Sequence, residues 1–453
     1  MKILLVAITL FVSVLPAQAR QSKPNTARMD QIVSEYYDHK QFMGSVLVTR
    51  GDQVLFDKSY GYANLEWDTP FTPDAKFRIG SLTKQFTAAS IMLLQERGKL
   101  KTSDLISLYL PDTPKAWSKI TIRNLLTHTS GIPDYTDAPG FGTRVALLPT
   151  TPEKLYLSFR GKPLDFQPDE KFTYSNSNYV LLGMIVEKAS GMKYANFLQQ
   201  NLFGPLHMDN TGVDSNAPIL HHRVYGYSRT GGDPVNAAYV DMTVPFAAGA
   251  LYSTTHDLVT WNNALYGGKV LKPESLTEMT TPYKSNYAYG LFVKAVDGHK
   301  EISHGGGING FNTFLSYDTA DKLSVVVLSN LEQGASGAIA SELATVAHGE
   351  KVVPVFEMKA VPVSLKVLAQ YVGTYTLSPA LSPKLGVIIT RVGDHLAEQI
   401  IGGPHKVILS AESETKFFST STDARYEFFK NENGEIDRLV LHEIGMEFQG
   451  KKK

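Results

Sequence analysis

The sequence contains no cysteine, which excludes disulfide bonds, thiolate metal sites and the lipid-attachment cysteine of a lipoprotein. It also lacks an excess of charge of either sign, because 44 basic and 44 acidic residues cancel. No run of basic residues interrupts the chain before the terminal Lys451-Lys452-Lys453. This balance gives no indication of a nucleic-acid or anionic-membrane partner. The partner that we predict is a small-molecule or peptide substrate.

Long apolar runs are scarce, and the one at the start is short. Lys2 precedes an apolar stretch from Ile3 to Leu15, which is followed by the small residues of Ala17-Gln18-Ala19. A stretch shorter than the roughly 20 residues that span a bilayer, with such a site behind it, is typical of a cleavable signal peptide rather than a stable membrane anchor. We therefore predict a signal peptide at residues 1–19, cleaved after Ala19, and a periplasmic or secreted location.

Two catalytic signatures are missing as well. The chain has no Gly-x-Ser-x-Gly, so an α/β-hydrolase esterase is disfavoured, although His304-Gly305-Gly306-Gly307 is similar to the oxyanion motif of that class. It has no His-Glu-x-x-His, and His221-His222 are adjacent rather than at helical ligand spacing. We therefore expect a catalytic centre with neither a metal nor a cofactor.

The apolar patterns that are present predict two domains, as a length of 453 residues favours. Alternation at 44–50 and 53–59 predicts a β-hairpin, and further strands are predicted at 302–304, 311–317 and 323–329. Residues 20–30 are polar and are predicted to be loose. Helices are predicted from their periodicity at 81–97, 122–127, 176–189, 194–202, 255–266 and 335–348. We predict an α+β fold, with an antiparallel sheet made of N- and C-terminal strands and flanked by a helical region.

The pattern changes after residue 348. Val353-Pro354 and Val361-Pro362 indicate a linker, and short apolar runs then dominate to the end of the chain. Asn433-Gly434 between two of these runs predicts a tight hairpin. We predict a first domain at 28–350, a linker at 351–363, and a small C-terminal β-barrel-like domain at 364–453.

Ser-x-x-Lys occurs at Ser81/Lys84, at 190/193 and at 413/416, so the pattern cannot by itself select a nucleophile. Only Ser81 opens a long amphipathic helix, where positions i and i+3 share a face and the Lys84 amine can reach the hydroxyl. The N-terminus of that helix also offers unpaired N–H groups to a developing oxyanion. The alternative for Ser81 alone is a helix N-cap.

Two later motifs favour the nucleophile. Tyr174 follows a turn-rich segment and precedes a helix, so its hydroxyl can relay a proton in a cleft, whereas the similar Tyr194-Ala195-Asn196 lies within a predicted helix. A surface tyrosine near a helix start is the alternative for Tyr174.

The run 305–307 follows a strand, where glycines let a substrate backbone approach closely. The Gly307 N–H is then a candidate second oxyanion donor, opposite that of Ser81, and a glycine-rich turn is the alternative.

Ser81-x-x-Lys84, Tyr174-x-Asn176 and His304-x-Gly306 occur in this order, with Leu-Leu-Thr-His-Thr-Ser-Gly at 125–131 between the first two. Together they resemble the serine β-lactamase and penicillin-binding-protein family, in its branch with class C β-lactamases, D-amino-acid peptidases and family VIII esterases. The resemblance covers roughly residues 30–350. The tail resembles the lipocalin-like β-domain appended to some members.

The resemblance implies a role for each motif. It makes Ser81 the acylated nucleophile, Lys84 its activating partner, Tyr174 the general acid/base and Asn176 a ligand of the substrate amide. Gly306 and Gly307 belong to the substrate-binding strand.

One residue departs from the better-known members. His304 stands where β-lactamases carry the lysine of Lys-Thr-Gly, which weakens the argument for a β-lactam carboxylate as the natural ligand. Arg78 and Lys171 are the alternative cations.

These inferences predict a secreted serine hydrolase that forms an acyl-enzyme on amide bonds of D-amino-acid-containing peptides or of β-lactams. A short-chain carboxylesterase and a penicillin-binding sensor without turnover remain alternatives, because all three share the acyl-serine intermediate. Self-association through the C-terminal domain is a further expectation.

Overall fold

A computed structural model describes residues 25–110, 112–230, 232–296, 298–378, 385–403, 406–422, 424–443 and 446–453. The predicted signal peptide at 1–19 lies outside these residues. The α-helices are α1 Thr26–Asp38, α2 Thr83–Glu96, α3 Ile122–Leu126, α4 Pro152–Phe159, α5 Asn176–Ser190, α6 Tyr194–Leu198, α7 Phe246–Gly249, α8 Thr255–Tyr266, α9 Pro273–Met279, α10 Ser336–Ala347 and α11 Leu365–Tyr371. Across the described ranges, none of the helices is both long enough and apolar enough to span a membrane.

The strands fall into two groups along the chain. The first group is β1 Gly44–Arg50, β2 Gln53–Tyr60, β3 Tyr62–Asn64, β4 Thr69–Pro70, β5 Phe77–Arg78, β6 Gly212–Val213, β7 Tyr227–Thr230, β8 Asp233–Asn236, β9 Leu251–Ser253, β10 Phe292–Val296, β11 His299–Ile308, β12 Phe311–Asp318 and β13 Leu323–Ser329. The second group is β14 Gly373–Ser378, β15 Gly386–Val392, β16 His395–Ile400, β17 Val407–Ala411, β18 Lys416–Phe418, β19 Arg425–Lys430, β20 Ile436–Glu443 and β21 Met446–Lys452.

A six-stranded sheet in the order β10-β11-β12-β13-β1-β2 is the centre of the first domain. The N-terminal β1 pairs antiparallel with the C-terminal β13, from Gly44 opposite Ser329 to Arg50 opposite Leu323, which confirms the predicted union of distant strands. Because successive side chains point to opposite faces, Val46 and Val48 join a core with α1 and α10, whereas Leu47 joins the larger core around α2, α5 and α8. The α+β prediction is therefore confirmed.

The prediction of a loose segment at 20–30 is wrong from residue 26 onward. Helix α1 begins at Thr26, and the Asn25 side chain caps it by accepting a hydrogen bond from the Arg28 N–H at 3.1 Å. Met29, Ile32, Val33 and Tyr36 are buried at helical spacing against the sheet. Polar residues fill the outer face of this helix, and they hide its narrow apolar stripe from a reading of local composition.

The C-terminal strands β14 to β21 form a closed eight-stranded barrel in which each strand pairs with its neighbours in sequence. This up-and-down connectivity agrees with the lipocalin-like resemblance. The predicted Asn433-Gly434 hairpin joins β19 to β20, with Gly434 at a φ of 81°. The barrel contacts the first domain through Phe418, which lies in the core cluster of α1 and α10, and through an ion pair between Arg425 and Glu342 at 3.1 Å. The domain limits given above stay predictions.

Candidate active site

Ser81 lies in a single 3-10 turn, Gly80–Leu82, which leads into α2. The regular helix therefore starts two residues later than predicted. Gly80 has a φ of +50°, and a Cβ there would lie 2.9 Å from the carbonyl oxygen of Gly307. A glycine is required at this position for both reasons. This tight turn brings the peptide before Ser81 against the end of β11.

Lys84 is completely buried, with 0% of its surface exposed. Its Nζ lies 2.9 Å from Ser81 Oγ, 2.9 Å from Asn176 Oδ1 and 2.8 Å from the carbonyl oxygen of Ala248. Burial lowers the pKa of Lys84 to about 7, although the negative charge of Asp134 acts in the other direction and raises it. A neutral amine has two N–H groups and one lone pair. Because the Asn176 and Ala248 oxygens can only accept, the lone pair of neutral Lys84 faces the Ser81 hydroxyl.

Tyr174 lies beside both residues. Its ring centroid is 4.8 Å from Lys84 Nζ. Burial raises the pKa of the Tyr174 phenol well above its usual value, although the nearby Ser81 hydroxyl acts in the other direction and lowers it. The phenol is therefore protonated at neutral pH and can donate a proton, whereas a tyrosinate base is disfavoured here.

Asp134 is a site residue that the sequence analysis missed. Its Oδ2 accepts hydrogen bonds from the Asn176 backbone N–H at 2.9 Å and from Asn176 Nδ2 at 2.8 Å. The bond from Nδ2 turns Asn176 Oδ1 toward Lys84, and the carboxylate adds negative charge near the amine. Asp134 lies only three positions after the 125–131 motif. This closeness to the motif could have identified it as a site residue from the sequence.

His304 belongs to a buried chain of three side chains. Its Nδ1 lies 2.6 Å from the Gly305 carbonyl oxygen, and its Nε2 lies 3.2 Å from the Tyr287 hydroxyl. His128 Nε2 lies 3.2 Å from the same hydroxyl, and His128 Nδ1 accepts from the Ser175 N–H at 3.1 Å. We call His128, Tyr287 and His304 the imidazole chain.

The partners at its two ends fix the proton positions. The Ser175 N–H can only donate, so His128 carries its proton on Nε2 and donates to the Tyr287 oxygen. The Gly305 carbonyl can only accept, so His304 carries its proton on Nδ1 and its Nε2 accepts from the Tyr287 hydroxyl. Burial lowers the pKa of both imidazoles, that of His304 to about 3. His304 is thus neutral, and it supplies no cation in place of the lysine of Lys-Thr-Gly.

The edge of β11 beyond His304 is open on the side of β10. The pairing with β10 ends at Ser303, whereas β11 continues to Ile308. A Cβ at Gly306 would lie 2.1 Å from the Ile79 carbonyl oxygen, but one at Gly307 would meet nothing within 4 Å. The close approach thus explains Gly306, and open space in front of Gly307 leaves room for an extended substrate.

The other two Ser-x-x-Lys pairs are separated by their local contacts. Ser190 Oγ donates to the Val186 carbonyl at 2.6 Å, while Lys193 lies 3.6 Å from Glu187. The hydroxyl of the serine at 413 accepts from the backbone N–H groups of residues 415 and 416. Both serines therefore stabilise turns.

The alternative cations are also placed elsewhere. Arg78 Nε binds Asp214 at 2.7 Å, and Lys171 Nζ lies 5.1 Å from the centroid of the Phe166 ring. His222, of the adjacent histidine pair, binds the exposed Asp74 at 2.9 Å. The Tyr194 hydroxyl is buried against Thr87 at 2.6 Å, as expected for a packing residue.

A helical domain on an antiparallel sheet, with a buried lysine beside a helix-start serine, is the architecture of a serine hydrolase. The comparisons with known proteins make this class definite. Residues 29–348 match the family described as Beta-lactamase, and the chain belongs to that family. It is 30% identical to Penicillin-binding protein 4* of Bacillus subtilis (strain 168), over 94% of this chain and 98% of the relative.

Two solved structures extend the likeness. A D-stereospecific amidohydrolase from Streptomyces sp. is 26% identical with a TM-score of 0.64, over 70% of this chain and 98% of that one. An octameric penicillin-binding protein homologue from Pyrococcus abyssi has a TM-score of 0.68 at 24% identity, over 94% of this chain and 100% of that one. The second likeness shows that the fold, including a C-terminal extension, recurs as a whole.

Proposed function

We propose that this protein is a secreted hydrolase that cleaves amide bonds of D-amino-acid-containing peptides, or of β-lactams, through an acyl-enzyme on Ser81. The proposal rests on the amine of Lys84, which three oxygen partners hold in place 2.9 Å from Ser81 Oγ. Burial lowers the pKa of this amine to about 7. A lysine with its usual pKa of about 10.4 would be protonated and could not act as a base.

In the proposed acylation, each group around Ser81 has one role. Neutral Lys84 takes the Ser81 proton as Oγ attacks the amide carbon, and the backbone N–H groups of Ser81 and Gly307 stabilise the tetrahedral oxyanion. The C–N bond then breaks while the Tyr174 phenol protonates the leaving amine, and Lys84 returns its proton to Tyr174. A water molecule hydrolyses the acyl-serine by the same steps in reverse.

The surroundings of His304 favour a neutral amide over an anionic ligand. His304 is uncharged, and Arg78 is paired with Asp214. The open edge of β11 offers hydrogen bonds to an extended peptide instead. Asn176 keeps one lone pair on Oδ1 and one hydrogen on Nδ2 beyond its bonds to Lys84 and Asp134. The name of the Streptomyces relative, a D-stereospecific amidohydrolase, supports the same substrate class.

A substrate panel tests the proposal. It comprises D-Ala-D-Ala peptides, amides of D- and L-residues, a chromogenic cephalosporin and p-nitrophenyl esters, each with wild type, Ser81→Ala and the matched control Ser190→Ala. We expect D-amide cleavage by wild type and by Ser190→Ala, and none by Ser81→Ala. Faster turnover of esters would replace the proposal with the carboxylesterase alternative.

Intact-mass spectrometry after incubation with penicillin separates enzyme from sensor. A transient adduct that Ser81→Ala lacks supports turnover. A stoichiometric adduct that persists, with no steady-state release of product, contradicts the proposal and favours the penicillin-binding sensor. The mass of the mature exported chain tests cleavage after Ala19, and light scattering tests self-association, which stays a prediction.

A further inference from the structure

A second cluster of histidine and carboxylate side chains lies at the other end of β11. It combines His299 at the start of β11, Asp318 at the end of β12 and His348 directly after α10. Asp318 Oδ2 lies 2.7 Å from His299 Nδ1 and 3.4 Å from His348 Nε2. We call these three residues the distal cluster. They are far apart in the sequence, so no local sequence motif contains them.

Two of the atoms that converge here lack a hydrogen bond of acceptable geometry. Asp318 is only 4% exposed, yet its Oδ2 makes no hydrogen bond of acceptable geometry, and neither does the buried Nε2 of His348. A buried donor or acceptor without a partner costs about 1–3 kcal/mol. In the part of the chain that the structure describes, few buried polar atoms are left in this state, and two of them face each other here.

The lysine and arginine side chains near Asp318 are paired with other carboxylates. Arg50 Nε binds the neighbouring Asp321 at 2.9 Å, and Lys294 lies 3.3 Å from Glu301. Asp318 therefore faces two imidazoles and no guanidinium or ammonium group that the structure places on it. A buried carboxylate is stable only when a cation or several donors compensate it.

A small cavity lies between these side chains. It has a volume of about 20 Å³, and its walls include all three members of the distal cluster together with Glu301, Ser316 and Ser341. A space of this size holds a single water molecule or ion, and its polar walls would satisfy either.

We infer that the distal cluster is a binding site for one divalent transition-metal cation, with zinc as the best fit to two imidazoles and a carboxylate. Tetrahedral zinc with bonds of about 2.0–2.2 Å separates its ligand atoms by about 3.3 Å, close to the 3.4 Å between His348 Nε2 and Asp318 Oδ2. Imidazole nitrogen and carboxylate oxygen together select zinc over calcium or magnesium, which require oxygen ligands.

One side chain must turn when the ion binds. The rings of His299 and His348 are stacked, with centroids 3.7 Å apart and an interplanar angle of 8°. A metal lies in the plane of each imidazole that binds it, so parallel rings cannot share one ion. The His299 side chain is 31% exposed, against 11% for His348, and can rotate. A water molecule or Glu301 completes the coordination.

The position of the site indicates a structural role. His299 and His304 are five residues apart on β11, which corresponds to about 16 Å along an extended strand. An ion there would fasten the end of α10, just before the predicted linker to the barrel, to the start of β11 and the end of β12. It would take no part in the chemistry at Ser81.

The experiment uses the untagged full chain, stripped with a chelator and titrated with Zn²⁺ by equilibrium dialysis and elemental analysis. We expect one equivalent to bind, a rise in Tm of a few degrees from ligand linkage, and unchanged hydrolysis. His299→Ala and His348→Ala should each weaken binding by more than the ~10–100-fold that loss of an outer-shell partner costs. His222→Ala, which removes the exposed imidazole paired with Asp74, is the matched control and should bind normally.

Two results would overturn the inference. One is the absence of stoichiometric zinc binding by the folded wild type. The other is equal binding by wild type and by the His299→Ala/His348→Ala double variant, which would place the metal elsewhere. Circular dichroism confirms folding, and His299→Ala alone keeps the test valid if the more buried His348 cannot be replaced. A tetrahedral Co²⁺ absorption spectrum that His299→Ala lacks gives a second readout.

Discussion

Two pairs of histidines meet β11 at His299 and at His304, five residues apart, and they differ in how their surroundings satisfy their hydrogen-bonding groups. In the imidazole chain, every ring nitrogen of His128 and His304 has a partner, and the Tyr287 hydroxyl donates to one ring and accepts from the other. In the distal cluster, Asp318 Oδ2 and a ring nitrogen of His348 have no hydrogen-bond partner.

The difference shows two uses of buried polar groups. A fully satisfied network specifies one arrangement, holds its protons in fixed places and offers nothing to a ligand. A network with unsatisfied groups still has nitrogen and oxygen atoms that can bind a metal, and its free energy falls when an ion binds to them. The first property suits the wall of a catalytic site whose geometry must not change, and the second suits a binding site.

The largest effect should come from the catalytic end itself. Lys84→Ala removes the amine that faces Ser81 Oγ at 2.9 Å. Acylation should slow by about 10²–10⁴-fold, the usual contribution of a positioned base. Stopped-flow acylation kinetics measure it, with circular dichroism to confirm folding. Lys193→Ala, which changes the lysine of another Ser-x-x-Lys pair, is the control. An unfolded Lys84→Ala protein would make the lysine structural, and a folded one with normal acylation would exclude it as the base.

The second prediction breaks the imidazole chain. Tyr287→Phe keeps the ring and deletes the hydroxyl, so one nitrogen of each buried imidazole loses its partner. We expect the free energy of unfolding to fall by about 2–6 kcal/mol, at ~1–3 kcal/mol for each of the two unsatisfied groups, and kcat to fall with it as His304 loses its fixed orientation. Chemical denaturation and steady-state kinetics measure the two effects.

Tyr283→Phe is the matched control for that variant, because the exposed Tyr283 hydroxyl donates to Asp169 at 3.2 Å and is no part of the buried chain. It should change neither quantity. Equal stability of Tyr287→Phe and wild type would show that the chain is not a satisfied network.

The third prediction concerns pH. With a Lys84 pKa of about 7, kcat/KM should rise through pH 7 and level off above it, because the base acts only when neutral. The Asp134 carboxylate favours the protonated amine, so Asp134→Asn should lower the Lys84 pKa and move this limb to lower pH. A pH–rate profile measures the shift.

Asp233→Asn, at an exposed carboxylate paired with Lys40, should leave the limb in place. The imidazoles should add no further limb between pH 5 and 8, since burial lowers the pKa of His304 to about 3. A limb in that range that survives Asp134→Asn unchanged would assign the titration to another group.

The sequence predicted the parts of this molecule that depend on local patterns. Alternating runs predicted β1, β2 and β13, helical spacing predicted α2, α5 and α8, and short ordered motifs selected Ser81, Lys84, Tyr174 and His304. It missed α1, whose apolar stripe is narrow. It also assigned no role to Asp134 or Tyr287, because their partners come from loops and strands that are distant in the chain.

The distal cluster shows the same limit most clearly. Residues 299, 318 and 348 have no motif spacing, and the search for metal ligands among neighbouring histidines led only to the pair at 221 and 222. What joins the three is the pairing of β11 with β12 and the packing of α10 on the sheet. Such long-range contacts follow from the whole fold, and no window of sequence contains them.

The smallest expected effect is that of Asp318→Asn, which tests whether the distal cluster differs from the imidazole chain in having unsatisfied groups. Asp318→Asn removes a buried charge that faces imidazoles but no lysine or arginine among the described residues. The new side chain can still accept the bond that Asp318 Oδ1 receives from the Ala320 N–H at 2.7 Å. In zinc-free buffer we expect stability within about 0.5 kcal/mol of wild type or slightly above it, since the relief of desolvation of a buried charge offsets the weaker contact with His299. With zinc present, wild type should become the more stable of the two. Thermal unfolding with and without Zn²⁺ measures this crossover, and a variant that is several kcal/mol less stable without zinc would show that Asp318 is satisfied by the protein alone.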